Sequence, residues 1–284
     1  MTARLLLGRP AADRIEAEAA EDAKRFLAEE GRKPSLRVVV VGDNPASEIY
    51  VAKKREAAER VGIHFCSVHL AHTKKLAMEL DDLSHDDSCD GIILQLPLPG
   101  SESPAPYFNR IAQEKDVDVF APTSVGLLDQ GRLEWEPCTP GAVMRILQHY
   151  EIPTMGREMV ILNRSWVVGR PLMGMALHKG VDATVTVCHD MTPYTHTLAH
   201  CKAADIIVVA VGKPNFLTSE MVRPGQTVVD VGINRVENKV VGDVDKAVGE
   251  IVDNLTPCPG GVGPVTVAFL IYNTVRAAHL RKTR

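Results

Sequence analysis

The 284-residue sequence has no long hydrophobic run, no CxxC pair and no excess of basic residues. Its longest apolar runs, such as Ile206 to Val211, are far shorter than the roughly 18 residues that cross a bilayer. The N-terminus also lacks the charged, apolar and small-residue regions of a signal peptide. We therefore expect a cytoplasmic protein that does not act at a membrane.

Cysteine spacing and charge exclude two further classes of protein. The six cysteines are scattered, which argues against a zinc knuckle or a redox dithiol and predicts reduced structural thiols and no metal site. The formal net charge is −4, so the chain offers no basic surface for nucleic acid. Because 45% of the residues are apolar, the chain can bury a sizeable core. Small-molecule chemistry is the expectation that remains.

The first 120 residues alternate between helical and strand patterns. Near-helical spacing predicts helices, and short β-branched or apolar runs that are apolar throughout predict buried parallel strands. The predicted helices cover 11–29, 45–61 and 73–83, and the predicted strands cover 36–41, 63–70 and 91–96.

The second half of the chain has the βαβ rhythm of a doubly wound nucleotide-binding sheet. Thr139 and Pro140 predict a helix start, and this helix should run to about Tyr150 and bridge two domains. The predicted strands that follow cover 159–162, 183–188, 205–211 and 227–231, with helices between the first three.

The predicted fold class is therefore α/β with two domains. Residues 1–139 form an N-terminal α/β domain, and residues 140–263 form a Rossmann-like, doubly wound parallel sheet. A final helix is predicted from Pro264 to about Lys282, and we expect residues 264–284 to pack back on the N-terminal domain.

Three predicted turns at strand ends are candidates for binding a dinucleotide. The turn after 159–162 runs from Asn163 through Gly169 into a helix, so free backbone N–H groups and a helix dipole would face a phosphate. It holds a single glycine, and an ordinary βα loop is an equal alternative. Further turns at Gly212 and Gly232 favour the dinucleotide interpretation, because glycine lets backbone approach a ligand closely.

The predicted N-terminal domain contains five polar residues suited to chemistry. Tyr50 and Lys54 are four residues apart on one predicted helix, so they share a face. Gln95 lies where prolines end an apolar strand, which predicts a turn at the edge of the sheet. Asp116 and Asp118 follow. The structural alternatives are a solvated surface lysine, a turn amide and an ordinary acidic turn.

The segment 257–264 holds three glycines and three prolines in eight residues. This composition restricts the backbone to an unusual path that suits close packing against a flat ligand, with Pro259, Gly260 and Gly261 as candidate substrate-binding residues. A rigid linker is the structural alternative.

Seven sequence blocks, in order over essentially the whole chain, resemble one family. It is the bifunctional methylenetetrahydrofolate dehydrogenase/methenyltetrahydrofolate cyclohydrolase family, known as FolD. The blocks are Val41 to Ser47 with Tyr50, Val51 and Lys54; Gly91 to Pro99; Lys115 to Asp118; Pro137 to Pro140; Arg164 and Ser165 with Val168 to Pro171; Val229 to Asn234; and Pro259 to Pro264.

The resemblance implies an activity and its partners. The enzyme would oxidise 5,10-methylenetetrahydrofolate to 5,10-methenyltetrahydrofolate with NADP, with NAD as the alternative cofactor, and hydrolyse the product to 10-formyltetrahydrofolate. The resemblance also implies a homodimer that binds tetrahydrofolate derivatives, with folate in a cleft between the two domains.

The resemblance further implies roles for individual residues. Lys54 would be the central acid/base group, oriented by Gln95, while Tyr50 would stack near the folate and Asp118 would hold the pterin. The residues expected to bind the cofactor are Asn163, Arg164, Ser165, Gly169, Asp190, Gly212 and Ile233.

The sequence departs from the family pattern at several positions. Asn163 stands where glycine is usual, Asp190 where serine or threonine is frequent, and Glu56 where a basic residue is usual. Further departures are Val119, Ala121, Ser124 and Leu127. They leave three alternatives open: a dehydrogenase with weak or absent cyclohydrolase activity, another two-domain dehydrogenase of small metabolites, and a non-catalytic folate- or nucleotide-binding paralogue.

Overall fold

The computed structural model describes residues 2–237 and 239–282, and the chain divides into two compact units. The first, called here the three-stranded unit, comprises Asp13–Cys138 and the residues from Val267 onward. The second, the six-stranded unit, comprises the residues up to Ala12 and Thr139–Thr266. No helix in the described ranges is long and apolar enough to cross a membrane.

The three-stranded unit is built on a parallel sheet in which β2 (Ser35–Val41) lies between β3 (His64–Leu70) and β4 (Gly91–Leu94). The central strand β2 carries the β-branched run of the sequence and is almost entirely buried, as expected for a strand paired on both sides. Its elements are β2 (Ser35–Val41), α2 (Pro45–Val61), β3 (His64–Leu70), α3 (Leu76–His85), β4 (Gly91–Leu94), α4 (Ala105–Phe108) and α5 (Pro122–Asp129), together with most of α1 (Gly8–Glu30) and α9 (Val262–Lys282).

Two turns of this unit prepare the candidate site. After β2, Gly42 adopts a φ of 75°, in the left-handed region that glycine tolerates, and α2 begins at Pro45. After β4, Gln95 makes one more ladder hydrogen bond, from its backbone N–H to the Val39 carbonyl, before the chain turns. The end of β4 and the helix that follows β2 thus both lead to the carboxyl edge of the sheet.

The six-stranded unit holds a parallel sheet with the strand order β1 (Arg4–Leu5), β11 (Asn254–Leu255), β8 (Thr227–Asp230), β7 (Ile206–Val209), β5 (Glu158–Leu162) and β6 (Thr184–Cys188). From β5 the chain passes to β6 on one side and then to β7 on the other, so a topological switch point lies between β5 and β7. Ligands of such sheets bind beyond the carboxyl ends of the strands at this point. The elements are β1 (Arg4–Leu5), α6 (Cys138–His149), β5 (Glu158–Leu162), α7 (Gly169–Leu177), β6 (Thr184–Cys188), α8 (Tyr194–Ala203), β7 (Ile206–Val209), β8 (Thr227–Asp230), β9 (Asn234–Val236), β10 (Lys239–Val241) and β11 (Asn254–Leu255).

The predicted fold class, two-domain α/β with parallel sheets, is confirmed. The predicted grouping of residues 1–139 differs from the structure at its start, because β1 pairs with β11 and thereby joins the six-stranded sheet. Two-residue strands carry no periodicity, so neither β1 nor β11 was predicted. Helix α6 begins at Cys138, one residue before the predicted cap Thr139.

Candidate active site

Helix α2 and the end of β4 bring Lys54 and Gln95 together. The Lys54 ammonium donates a hydrogen bond of 2.9 Å to Gln95 Oε1. The amide nitrogen of Gln95 donates in turn to the Leu96 carbonyl at 2.7 Å, which leaves the amide oxygen to face the lysine. Gln95 is 9% exposed, so this arrangement is held inside the protein.

Lys54 is half-buried, so the interpretation of this lysine as solvated helix surface is wrong. Burial lowers the pKa of Lys54, because an ammonium loses solvation there, while the charge of Asp118 and the nearby Cys138 oppose the shift. A lysine whose pKa is lowered releases its proton more readily than a solvated lysine, so it can serve as both acid and base.

Asp118 lies on the loop after β4, and its charge interacts with that of Lys54. Its side chain accepts hydrogen bonds from the backbone N–H and the thiol of Cys138, at the start of α6. Burial raises the pKa of Asp118, and the charge of Lys54 opposes that shift. The next residue, Val119, has a φ of 62°, a strained conformation for a β-branched side chain.

Asp116 has a structural role in the same loop. Its carboxylate accepts the backbone N–H groups of Phe120 at 3.1 Å and Ala121 at 2.8 Å, and its carbonyl accepts the indole N–H of Trp135 at 2.9 Å. The interpretation as an acidic turn therefore fits Asp116, whereas Asp118 belongs to the cluster around Lys54.

Tyr50 lies one turn before Lys54 on α2 and is half-buried. Its ring centroid is 5.9 Å from the ammonium nitrogen of Lys53, a cation–π distance. The phenol and the Lys54 amine therefore sit on one helix, with the aromatic ring next to a cation.

Two residues of this cluster were not among the predicted site residues. Cys138 is 2% exposed, and burial raises the pKa of its thiol well above the usual value, so it stays protonated. Asn273, fully buried on α9, donates to the carbonyls of Val117 at 2.9 Å and Glu136 at 2.8 Å, which steadies the segments that lead to Asp118 and Cys138. An amide that directly follows the apolar run from Val267 to Tyr272 was the available signal for Asn273.

In the six-stranded unit, the predicted cofactor residues follow four strands at the carboxyl edge of the sheet. Gly212, with a φ of 70°, follows β7, and Ile233, 47% exposed, follows β8. Asp190 follows β6. The remaining residues, in the turn between β5 and α7, are Asn163, Arg164, Ser165 and Gly169.

The expectation of free backbone N–H groups in the turn after β5 is wrong for three of them. Asn163 Oδ1 accepts the N–H groups of Ser165 at 2.7 Å and Gly169 at 3.0 Å, and the Ser165 hydroxyl accepts that of Val168 at 3.1 Å. The Asn163 amide also donates to the Ala210 carbonyl at 2.5 Å. Asn163 therefore builds the turn and joins it to the turn after β7, across the switch point.

The cation of this turn is paired within the protein. Arg164 Nη2 lies 2.5 Å from Asp190 Oδ1, and both side chains are largely exposed. His189 Nδ1 lies 3.9 Å from the same carboxylate oxygen, but it accepts the Met191 N–H and so does not donate to Asp190. Any anionic ligand of Arg164 competes with Asp190.

The glycine- and proline-rich segment belongs to the six-stranded unit, and its last three residues form the start of α9. The Gly260 carbonyl accepts the Gly8 N–H at 2.8 Å, and a Cβ at Gly8 would lie 1.8 Å from the Gly261 carbonyl oxygen. The backbone of Gly260 and Gly261 thus packs against the start of α1, which requires glycine at position 8. In the described ranges, no group of three or more His, Cys, Asp or Glu side chains could hold a metal ion.

The doubly wound sheet and the lysine-centred cluster define a two-domain α/β protein of the nucleotide-binding dehydrogenase type. The family model for the tetrahydrofolate dehydrogenase/cyclohydrolase catalytic domain matches residues 6–118, and the model for the NAD(P)-binding domain of the same family matches residues 137–282. The chain belongs to the tetrahydrofolate dehydrogenase/cyclohydrolase family.

Individual relatives match over nearly their full length. The bifunctional protein FolD of Burkholderia mallei (strain SAVP1) is 44% identical over 283 residues, with 98% of each chain covered. The crystal structure of the bifunctional enzyme FolD from Campylobacter jejuni is 43% identical with a TM-score of 0.91, covering 98% of this chain and 99% of that one. The Trypanosoma brucei enzyme, solved with NADP and an inhibitor, is 33% identical with a TM-score of 0.92, covering 100% of this chain and 99% of that one.

Proposed function

We propose that this protein oxidises 5,10-methylenetetrahydrofolate to 5,10-methenyltetrahydrofolate with NADP and hydrolyses that product to 10-formyltetrahydrofolate. The observation that carries the proposal is the Lys54 amine, half-buried, bonded to Gln95 and facing Asp118, in a chain of this family. The three-stranded unit binds and converts the folate, and the six-stranded unit binds the cofactor.

The chemistry of the cluster suits a pterin substrate. A pterin presents an amino group and a ring N–H as adjacent donors, and the Asp118 carboxylate can accept both in a fork. Tyr50, one turn from Lys54, offers an aromatic face beside the substrate.

Lys54 serves the hydrolytic step as acid and base. Water attacks the methenyl carbon, and opening of the ring requires that a proton moves from the water-derived hydroxyl to the departing ring nitrogen. The amine of Lys54, whose pKa burial lowers, is suited to carry this proton, and Gln95 holds the amine in one place.

The carboxyl edge of the six-stranded sheet fits a dinucleotide. Gly212 has a positive φ and no side chain, so a ligand can approach its backbone closely. The turn that contains Asn163 and Ser165 is held by side-chain hydrogen bonds, and Arg164 offers a planar cation for a phosphate. When bound, the nicotinamide supplies the hydride acceptor for the methylene carbon.

A coupled absorbance assay tests the proposed function directly. Methylenetetrahydrofolate is mixed with the protein and either NADP or NAD, and the reduced cofactor and the methenyl product are followed at their own wavelengths. Decay of methenyltetrahydrofolate without any cofactor measures the hydrolysis separately. If neither NADP nor NAD is reduced, the proposed dehydrogenase activity is refuted. If methenyltetrahydrofolate decays at the same rate with and without the protein, the proposed cyclohydrolase activity is refuted.

The ion pair between Arg164 and Asp190 favours NAD as a second cofactor. A carboxylate after the second strand of such a sheet accepts hydrogen bonds from the ribose diol of NAD and repels the 2′-phosphate of NADP. Because Arg164 attracts that phosphate and Asp190 opposes it, we propose that NADP is preferred by a smaller margin than in relatives with serine or threonine at position 190.

We expect Asp190→Ser to lower the Michaelis constant for NADP and to raise that for NAD. The change removes a like charge and releases Arg164, and at a solvent-exposed site this is worth roughly two- to tenfold in affinity. Asp205→Ser is the matched control, since Asp205 lies 3.6 Å from Arg223 but precedes β7, at the opposite edge of the sheet. Unchanged constants in Asp190→Ser would show that Asp190 does not face the adenosine site.

We further propose that the protein is a cytoplasmic homodimer whose ligands are tetrahydrofolate derivatives, without nucleic acid or membrane partners. The formal net charge of −4 supports the absence of nucleic acid binding.

A further inference from the structure

Two aspartates of the six-stranded unit are buried below the turns that follow β7 and β8. Asp230 ends β8 and is 5% exposed, and Asp243, two residues after β10, is 0% exposed. A buried carboxylate is costly unless its oxygens accept hydrogen bonds, so the donors around the two side chains indicate what each one does.

Asp243 binds the turn after β7 through its side chain. Its Oδ2 accepts the backbone N–H groups of Val211 at 2.6 Å and Gly212 at 2.7 Å. Consecutive backbone N–H groups that point at one atom form a concavity that binds anions, and the positive φ of Gly212 allows this arrangement. The protein's own Asp243 fills this concavity, so the conformation of the turn depends on that carboxylate.

The same carboxylate reaches the turn after β8. Asp243 Oδ1 accepts the side-chain amide of Asn234 at 2.7 Å, at the start of β9. Position 232 must be glycine for this approach, since a Cβ there would lie 2.1 Å from Asp243 Cγ. One side chain thus ties together the two turns that hold Gly212 and Ile233.

Asp230 holds Asp243 in place. Its Oδ1 accepts the backbone N–H groups of Gly232 and Asp243, each at 3.0 Å, and its Oδ2 accepts that of Val244 at 3.2 Å. Burial raises the pKa of Asp230 to about 6, and these N–H donors oppose the shift. The hydrogen bonds run from β8 through Asp230 and Asp243 to the turn after β7.

We propose that Asp243, held by Asp230, is a positioning residue for the dinucleotide: it keeps the turns after β7 and β8 in the conformation that binds the cofactor. This inference rests on the proposed function, which assigns Gly212 and Ile233 to the cofactor site. Asp243 acts through the backbone and through Asn234 and does not itself touch the cofactor.

The test measures cofactor binding and backbone protection in the full-length protein. Asp243→Ala should raise the dissociation constant for NADP, measured by titration calorimetry, by about tenfold or more, because three N–H donors lose their acceptor. Amide hydrogen exchange at Val211 and Gly212 should accelerate in the same variant. Circular dichroism and thermal unfolding of the same preparation, compared with the parent, report whether both units are folded.

Asp243→Asn provides a milder variant in case alanine prevents folding. Its amide oxygen still accepts the two backbone N–H groups, but its nitrogen faces the donating amide of Asn234, so the loss of NADP affinity should be about threefold. Asp253→Ala is the matched control. Asp253 accepts the Gly225 N–H at 2.9 Å before β8, at the far edge of the sheet, and its removal should leave the NADP affinity at the parental value.

Two results separate the inference from the proposed function. If the parental protein binds neither NADP nor NAD, the proposed function is refuted and the inference with it. If the parent binds cofactor and a folded Asp243→Ala or Asp243→Asn variant matches it in affinity and amide protection, the inference alone is refuted.

Discussion

Replacement of Lys54 by methionine is expected to abolish the hydrolysis of methenyltetrahydrofolate while the protein stays folded. A positioned acid/base group contributes about 10²- to 10⁴-fold to such a step, so the rate should fall by at least about 100-fold. The fold should tolerate the change, because burial already disfavours the ammonium of Lys54 and methionine is a good helix former.

Hydrolysis rates and thermal unfolding of purified variants measure this prediction. Arg55→Met is the matched control, since it removes an exposed cation from the next position of the same helix. It should keep the parental rate, and both variants should unfold near the parental temperature. Parental hydrolysis by the folded Lys54→Met variant would remove Lys54 from the reaction.

Replacement of Asp118 by asparagine is expected to weaken folate binding by roughly 10- to 100-fold, the range for losing hydrogen bonds to a charged group. The asparagine keeps one oxygen that can accept the Cys138 N–H, so the loop should survive, but it loses the charge and one acceptor of the fork. The Michaelis constant for the folate should therefore rise more than the turnover number falls.

Folate affinity of Asp118→Asn and of Asp129→Asn, measured by titration, decides this prediction. Asp129 is exposed at the end of α5, so its neutralisation should leave the affinity unchanged. Parental affinity in Asp118→Asn would exclude Asp118 from the folate site.

The same variant should move the pH profile of hydrolysis. The charge of Asp118 raises the pKa of Lys54 and partly offsets the effect of burial. Without that charge the pKa of Lys54 falls, so the limb of the rate profile that reports Lys54 should shift to lower pH. A limb that stays in place or moves to higher pH would contradict the coupling between the two residues.

Local patterns were sufficient for most of the secondary structure. Strand β2 is a continuous β-branched run that ends at glycine, and α2 opens at proline, so residues a few positions apart determine where each begins and ends. The alternation of these elements predicts parallel sheets. The roles of the candidates Lys54, Gln95 and Asp118 came instead from the family resemblance, because a single lysine or carboxylate has no periodic signal.

Contacts between distant parts of the chain decided the rest. Asn273 and Cys138 meet beside Asp118, and Arg164 is paired with Asp190. The Asn163 side chain accepts hydrogen bonds from backbone N–H groups that its turn was expected to leave free for a ligand.

The physical reason is that burial and hydrogen-bond partners depend on which segments the fold packs together. Lys54 has the same neighbours in sequence whether it is solvated or buried, but only the packed structure places it against Gln95 and lowers its pKa. Likewise Asp243 reads as one more acidic residue of a polar turn, and only the fold brings its carboxylate to the backbone of Val211 and Gly212.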